Sequence, residues 1–154
     1  MNKEERLIES FYTSFQERNW KGMVQVYHPD IFFYDPVFGP LRGVEVTAMW
    51  EMLLSGAKEL DLQFGEVVAE DGYGSCRWTA SYVYTGTGRK VVNRGVARFA
   101  FQDGKIVEHQ DEWSIRRWCA QALGWKGVLF GWTSVLQGAV RRRARRSLDR
   151  FMKK

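Results

Sequence analysis

Apolar residues near the start of the chain recur at helical spacing. A first helix is predicted from the positions Leu7, Ile8, Phe11, Tyr12 and Phe15. Asn2, followed three residues later by Glu5, has the pattern of a capping box at the start of this helix. The chain is therefore expected to open with an amphipathic helix of about four turns.

Two further helices are predicted, with a brief strand between them. Asn19 is placed to cap the second helix, whose apolar stripe is Trp20, Met23, Val24 and Tyr27 and which ends at the His-Pro-Asp segment 28–30. Residues 31–34 predict a strand, and the turn-rich segment 35–40 follows it. Gly43 then opens a third helix that runs to Gly56.

From Leu60 the pattern changes to alternation of apolar and polar residues. Extended runs are predicted over 60–70, 75–86, 90–102 and 105–114, separated by glycine-containing turns. One face of the second run carries Cys76, Trp78, Ala80, Tyr82 and Tyr84. One face of the fourth run carries Val107, His109, Asp111 and Trp113. Helices followed by an antiparallel meander predict an α+β fold in which a curved sheet wraps the helices.

The chain after Ser114 has a different character. A helix is predicted over 115–123, glycines interrupt it at 124–127, and 128–137 is almost wholly apolar. A strongly basic helix then carries a narrow stripe of Val140, Ala144 and Leu148, with Phe151 or Met152. Trp118, Trp125 and Trp132 are seven residues apart, which would place them near one face if the helix were continuous. We therefore divide the chain into a body, 1–114, and a helical extension, 115–154.

The composition indicates the size of the folded domain and the cellular location of the protein. With 154 residues and 45% hydrophobic positions, the chain can bury the core of a single domain, which excludes disorder as its main state. Aromatics reach 15%, which indicates a lined cavity or an adhesive surface. Cys76 and Cys119 are too isolated for a disulfide scaffold or a structural zinc site. Together with a charged N-terminus that lacks a signal sequence, they predict a cytoplasmic protein.

The net charge of +5 is unevenly distributed. Residues 1–114 hold 12 Lys and Arg against 17 Asp and Glu, whereas residues 115–154 hold 11 against a single acid, Asp149. The body is therefore mildly acidic, and the basic character belongs to the extension.

Three segments carry a family resemblance. The Asn-Trp-Lys-Gly turn at 19–22, the segment YDPVFGPLRG at 34–43 and the segment DGKIVEHQDEW at 103–113 resemble the NTF2-like superfamily, and within it the SnoaL-like and ketosteroid-isomerase-like branch. The resemblance covers about residues 5–114. It implies a cone, with three N-terminal helices packed in a curved antiparallel sheet around an apolar pocket, commonly in a homodimer.

Asp35 is the first candidate catalytic residue. It ends the aromatic segment IFFYD directly before Pro36, where Phe33 and its neighbours can supply a wall of low dielectric. Desolvation raises the pKa of a carboxyl group toward the range that a general base needs. The resemblance to ketosteroid isomerases implies that Asp35 moves a proton at a carbon next to a carbonyl. The structural alternative is an Asp that accepts backbone N–H groups in its own turn.

The rest of the isomerase site does not carry over. The positions that match the oxyanion-hole Tyr and Asp of those enzymes are Phe11 and Ala97 here. Tyr12 is adjacent to the first position but points about 100° away on a helix. We therefore do not expect a steroid isomerase proper.

His109 and Asp111 are the second candidate pair. They are two residues apart on a strand, so their side chains leave the same face and can reach one ligand. SnoaL-type cyclases use acid/base residues in this region, but the catalytic Asp that follows the family's Trp matches Ser114 here. The alternative is a surface pair of His109 and Asp111 with Arg94 or Arg98.

Arg94 or Arg98 with Asp35 and Asp111 would also imitate the Asp-Arg-Asp arrangement of limonene-epoxide hydrolases, although the spacing does not match it well. No metal-site spacing and no nucleotide-binding motif occurs, so neither a metal nor a cofactor is expected.

We therefore predict a small-molecule pocket protein that binds an apolar organic ligand, with an acid/base isomerase, cyclase or epoxide-hydrolase-like enzyme as the candidate activity. Asp35, His109 and Asp111 are the predicted catalytic residues, and the predicted ligand-binding residues are Tyr12, Phe33, Trp78, Tyr82 and Trp113. The alternative is a non-catalytic ligand-binding module, or one that docks on a membrane surface.

The extension admits three interpretations. A helical cover for the barrel mouth or for a dimer partner is favoured, and docking on an anionic membrane at the inner surface through residues 115–154 is second. Nucleic-acid binding is least favoured, because no aromatic stacking positions alternate with the arginines.

Overall fold

The computed structural model describes residues 1–154, which form six helices and six strands. The helices are α1 (Lys3–Gln16), α2 (Trp20–Gln25), α3 (Val44–Gly56), α4 (Ile115–Leu123), α5 (Trp125–Phe130) and α6 (Ser134–Met152). The strands are β1 (Tyr27–Asp35), β2 (Gly39–Arg42), β3 (Lys58–Glu70), β4 (Tyr73–Tyr84), β5 (Arg89–Gln102) and β6 (Lys105–Glu112).

The caps predicted from the sequence for α1 and α2 are confirmed. The Asn2 side chain accepts from the N–H of Glu5 at 2.8 Å while the Glu5 carboxylate accepts from the N–H of Asn2 at 2.9 Å, which completes the capping box. Asn19 caps α2 by accepting from the N–H of Gly22. The assignment of Tyr27 to the stripe of α2 is wrong, because that helix ends at Gln25 and Tyr27 begins β1.

All six strands form one sheet in the order β2-β1-β6-β5-β4-β3. The pairing of β1 with β6 is parallel and the other pairings are antiparallel, so the α+β prediction is confirmed. Strand β2 was not predicted, because its Gly39 and Pro40 indicate a turn; the chain nevertheless turns back so that Leu41 pairs with Phe33. This return closes one edge of the sheet beside Asp35.

Bulges bend the sheet into the predicted cone. In β3 the register shifts near Glu59 and Glu66, whose φ angles are 54° and 53°. A third bulge inserts Val107 into β6, where Ala100 pairs with Glu108 but Phe101 pairs with Ile106. The extra residue turns Ile106 rather than Val107 into the core, which corrects the predicted face for that one position.

The helices pack on the concave face of the sheet. Ile8 and Phe11 of α1, Met49 of α3, and Ile106 of β6 have no exposed surface and belong to one continuous apolar core. Burying large aliphatic and aromatic side chains in this way contributes roughly 1.5–3 kcal/mol each. Cys76 also lies in this core.

The extension folds back over the body as three helices. The break at Gly124 separates α4 from α5, so the tryptophans do not share a face: Trp118 is buried, whereas Trp125 and Trp132 are two-thirds exposed. Helix α6 packs on α3, where the Leu148 side chain is fully buried. Arg145 of α6 also donates to the Glu45 carboxylate at 2.7 Å. None of these helices combines the length and apolarity that crossing a membrane requires.

Candidate functional site

A cavity of about 870 Å³ opens between the helices and the concave face of the sheet. Its volume lies within the range of roughly 300–1,000 Å³ that is usual for small-molecule sites. Most of the side chains around it are apolar, and its lining includes two carboxylates, from Asp35 and Asp111. The cavity therefore suits an apolar molecule that carries a small number of polar atoms.

Asp35 lies at the end of β1, where its backbone pairs with Gly39 of β2. Its Oδ1 accepts from the N–H groups of Val37 at 2.9 Å and Phe38 at 2.6 Å, which is the turn predicted as the structural alternative. The turn does not exclude a role in the cavity, because Asp35 also lines the cavity and no protein donor reaches its Oδ2. The turn thus fixes the carboxyl group and leaves one oxygen for a ligand.

Burial changes the acidity of Asp35. Desolvation is the main cause that raises the pKa of this carboxyl from 3.8 to about 7, while the hydrogen bond from Phe38 opposes the rise. The nearby charge of Asp111 raises the pKa further. A carboxyl group with a pKa near 7 both takes and returns a proton at neutral pH.

Asp111 and His109 project from β6 into the same cavity. The Nε2 of His109 lies 3.0 Å from the Oδ1 of Asp111, and the indole N–H of Trp78 donates to that same oxygen at 3.3 Å. No protein donor reaches the Oδ2 of Asp111. Like Asp35, Asp111 is therefore held through one oxygen and presents the other.

A chain of hydrogen bonds continues behind His109. The indole N–H of Trp50 donates to the hydroxyl oxygen of Tyr27 at 3.1 Å, and that oxygen lies 2.8 Å from the Nδ1 of His109. Because Trp50 only donates, the Tyr27 hydroxyl hydrogen is satisfied only if it is donated to Nδ1. The neutral ring then carries its proton on Nε2 and donates it to Asp111.

The sequence analysis did not identify Tyr27 or Trp50 as residues of the site. They lie on β1 and α3, far from His109 in the chain, and no local spacing connects them with it. Asn93, a buried residue of β5 that lines the cavity, was also missed.

Two tyrosine hydroxyls have hydrogens that no protein group accepts. The hydroxyl of Tyr12 is buried without any hydrogen-bond partner. Burial raises the pKa of Tyr12, and the nearby charge of Asp111 raises it further. The hydroxyl of Tyr82 accepts the indole N–H of Trp118 at 2.8 Å and has no acceptor for its own hydrogen. Burial raises the pKa of Tyr82, and the nearby charge of Asp35 adds to the rise. Each carboxylate thus has a phenol in its vicinity.

The remaining predicted ligand-binding residues divide into two groups. Tyr12, Trp78, Tyr82 and Trp113 line the cavity. Phe33 does not line it, because its ring is completely buried against Trp50 and His109, with centroid distances of 5.7 Å and 5.1 Å. Phe33 supports the histidine instead of facing a ligand.

The arginine arrangements considered from the sequence are wrong. Arg94 and Arg98 are exposed on the convex side of the sheet, where Arg98 donates to the Glu112 carboxylate at 2.9 Å. Neither arginine therefore makes a surface pair with His109 and Asp111, and neither can complete an Asp-Arg-Asp set.

Neither of the two positions that match the oxyanion-hole residues of ketosteroid isomerases carries a hydrogen-bond donor side chain. Phe11 packs the edge of its ring against His109, and Ala97 is fully buried opposite Asp111 in β5. Tyr12 nevertheless lines the cavity beside Phe11, because the concave sheet surrounds more than one face of α1. Its hydroxyl is a donor that the sequence argument assigned to the ligand-binding residues but not to the oxyanion position.

Helix α6 supplies one wall of the cavity. Its lining residues are Leu136, Ala139, Val140, Arg143, Ala144 and Ser147. This contribution agrees with the favoured interpretation of the extension as a cover for the barrel mouth. No three His, Cys, Asp or Glu side chains lie together as a metal site requires.

Comparisons with known proteins agree on the fold. Residues 8–109 match the family model described as SnoaL-like domain. No curated protein matches the chain.

Three solved structures illustrate the similarity. A candidate polyketide cyclase from Xanthomonas campestris pv. campestris is 20% identical, with a TM-score of 0.66 over 78% of this chain and 96% of that one. AclR, a candidate hydroxylase from Streptomyces galilaeus, is 24% identical, with a TM-score of 0.62 over 74% and 91%. A protein from Catenulispora acidiphila with a ketosteroid-isomerase-like fold, in complex with trimethylamine, is 11% identical, with a TM-score of 0.66 over 75% and 91%. Such likenesses establish an NTF2-like cone.

Proposed function

Because the chain belongs to the SnoaL-like domain family, we propose that it binds an apolar organic molecule in its cavity and moves protons on it without a cofactor. The observation that carries the proposal is that Asp35 and Asp111, the two acidic residues of the lining, share one largely apolar cavity. Carboxylates are costly to bury, and these two are each held by hydrogen bonds through a single oxygen. Their free oxygens remain available for chemistry.

The proposed substrate is an aromatic or polycyclic ketone with an acidic C–H group next to its carbonyl. The Oδ2 of Asp35 removes that proton, and the electron pair of the C–H bond moves to the carbonyl oxygen as an enolate forms. A hydroxyl hydrogen from Tyr12 or Tyr82 is donated to this oxygen, because neither has an acceptor in the protein. These donors replace those that the positions of Phe11 and Ala97 lack.

The proton on Asp35 then has two destinations. Returned to a different carbon of the enolate, it completes an isomerisation. If the enolate carbon instead attacks a second carbonyl of the same molecule, the proton is delivered to the new alkoxide, and a ring has closed. Asp111, oriented by His109 and Trp78, is the second proton carrier near the reacting atoms. The candidate polyketide cyclase among the similar structures is consistent with the second outcome.

Deuterium exchange into a model ketone tests this chemistry directly. β-Tetralone, an aromatic ketone with acidic C–H groups, is incubated with the protein in D₂O and followed by proton NMR. We expect exchange above the buffer rate that increases with pH around a midpoint near 7, as Asp35 loses its proton. Asp35→Asn should lower the rate by about 10²-fold or more, the usual contribution of a general base.

Binding is measured separately through the quenching of tryptophan fluorescence, because Trp78 and Trp113 are among the tryptophans that line the cavity. The exposed Asp61→Asn change is the matched control, and it should leave both exchange and binding as they are in the wild type. Equal exchange by wild type and Asp35→Asn would contradict the proton-transfer role. Fluorescence quenching without exchange would support the other candidate, a non-catalytic ligand-binding module. Absence of binding across a panel of aromatic ketones would refute both.

A further inference from the structure

Helix α5, the turn after it and the first turn of α6 present large apolar side chains to solvent. We define the α5 patch by six residues, each exposed over half or more of its surface: Trp125, Val128, Leu129, Phe130, Trp132 and Val135. Isolated exposed apolar residues are ordinary, but six within eleven positions of the chain form a concentration that marks an interaction site.

The packing of α5 explains why these residues face outward. Gly127 is buried against the backbone of Cys119 in α4, and any side chain at position 127 would overlap the Cys119 carbonyl group. Gly131 is also confined: a side chain there would overlap the Gly127 carbonyl and press against Cys119 and the carbonyl of Arg116. The helix therefore turns its smallest residues inward, which is the reverse of a helix that folds onto a protein core. The close contact fixes the apolar residues on the outer side of α5, and Trp125 at its start also borders the cavity.

Trp132 is oriented for the same surface. Its indole N–H donates to the carbonyl oxygen of Leu129 at 3.0 Å, so its polar atom is satisfied while the residue stays about two-thirds exposed. Trp side chains have an apolar ring system with one polar N–H, and they are enriched at the interface between membrane and water.

Unpaired positive charge adjoins the patch. Arg116 and Arg117 are exposed on α4, the backbone of Arg116 contacts Gly131, and Lys126 lies within α5 itself. None of these three has an acidic partner. Along α6 only Arg145 is paired with acids, so the extension retains most of its positive charge for an external partner.

We propose that the α5 patch binds the surface of an anionic lipid bilayer, with α5 lying parallel to it. The apolar side chains enter the boundary between headgroups and acyl chains, while the flanking basic residues contact anionic headgroups. Each Lys or Arg near such a surface contributes about 1 kcal/mol. A second copy of the chain is a poorer occupant, because a symmetric contact would bring two positively charged extensions together. The inference does not depend on the chemistry proposed for the cavity.

Vesicle flotation of the full chain tests the inference. We expect the protein to float with vesicles of phosphatidylcholine that contain about one-third phosphatidylserine, and to stay behind with phosphatidylcholine alone. Raising NaCl to about 0.5 M should reduce the bound fraction, because it screens the headgroup charge. Replacing Arg116 and Arg117 by Gln should weaken binding about fivefold per charge.

The apolar contribution is tested with Leu129→Gln combined with Phe130→Gln. Both positions are exposed, so the fold should be retained, which circular dichroism verifies. We expect at least a tenfold loss of vesicle binding, whereas Tyr73→Ser, which removes an exposed aromatic from the β3–β4 hairpin, should have no effect. Absence of flotation with anionic vesicles, or equal flotation of the double variant and wild type, would overturn the proposal. So would a dimer in sedimentation velocity that the double variant converts to a monomer, since the patch would then join two copies.

Discussion

The hydroxyl oxygen of Tyr27 lies 2.8 Å from the Nδ1 of His109, and we infer that the hydroxyl is the donor to that nitrogen. The direction follows from Trp50, whose indole N–H occupies the same hydroxyl as a donor. A side chain at the first position of β1 thereby determines which nitrogen of a histidine on β6 faces Asp111 as a donor.

This relationship predicts the tautomer of His109. In the neutral ring the proton should lie on Nε2, and ¹⁵N NMR correlation spectra of the imidazole check it. The chain has two histidines, so His28→Gln leaves one ring to assign. A proton on Nδ1 would reverse the hydrogen-bond direction given above.

Loss of the Tyr27 hydroxyl should destabilise the protein. Tyr27→Phe leaves a buried Trp50 N–H without an acceptor and His109 without a donor, at a cost of about 2–3 kcal/mol in the free energy of unfolding. Urea denaturation measures it. Tyr73→Phe, at a largely exposed position, is the control and should change nothing. Equal stability of the two variants would show that the chain of hydrogen bonds contributes little.

Asp35 should make the protein less stable as the pH rises. Its pKa is 3.8 when unfolded and about 7 when folded, so between these values the native state binds more protons than the unfolded state. Asp35 therefore contributes up to about 4 kcal/mol to the free energy of unfolding. This contribution is complete below pH 4 and is lost by about pH 7. Asp35→Asn retains the acceptor for Val37 and Phe38 without this titration.

The difference in unfolding free energy between Asp35→Asn and wild type should therefore grow in favour of the variant from about pH 4 to 7 and then level off. Glu45, whose pKa is lowered chiefly by its hydrogen bond from Arg145, contributes with the opposite sign in acid but cancels in this difference. Asp61→Asn should give a flat difference. A flat difference for Asp35→Asn as well would mean that its carboxyl group is not desolvated.

The contact between α4 and α5 should not tolerate a methyl group. Gly127→Ala places a side chain on the Cys119 carbonyl, so the two helices must separate, and we expect a loss of about 1–3 kcal/mol or more in thermal or urea denaturation. Gly138→Ala in α6 meets only the flexible end of Arg142 and should instead stabilise the protein by about 0.5–1 kcal/mol. The opposite signs of the two changes are the expected result, and like signs would contradict the packing.

Helix α6 should be held mainly by apolar contact. Leu148→Ala removes a fully buried side chain and should cost about 2–5 kcal/mol. The coupling between Glu45 and Arg145 should be about 1 kcal/mol or less in a double-mutant cycle, because solvent screens the partly exposed pair. A larger coupling than the Leu148→Ala effect would mean that the ion pair docks the helix.

Local patterns predicted much of this structure. Caps such as Asn2 with Glu5 act within a few residues, and strand alternation places His109 and Asp111 on one face without any knowledge of the partner strand. Asp35 was recognised as a candidate catalytic residue because its aromatic neighbours and Pro36 are adjacent to it in the chain.

The remaining features depend on contacts between distant elements. Alternation places Phe33 on the inner face with Asp35, but only the position of α3 determines that Trp50 covers Phe33 and leaves Asp35 open. The bulge at Val107 arises from its pairing with β5, and the pattern within β6 gives no sign of it. The chain of Trp50, Tyr27 and His109 joins three elements and has no local signature.

The wall that α6 gives the cavity lies outside residues 8–109, the segment that matches the family. Asp35, His109 and Asp111 stand on strands within or at the edge of that segment. Substitutions in α6 can therefore alter the size and polarity of the cavity while the three residues of the proposed proton transfer stay in place. The α6 wall and these three residues lie in separable stretches of the gene, so evolution or engineering can change one and retain the other.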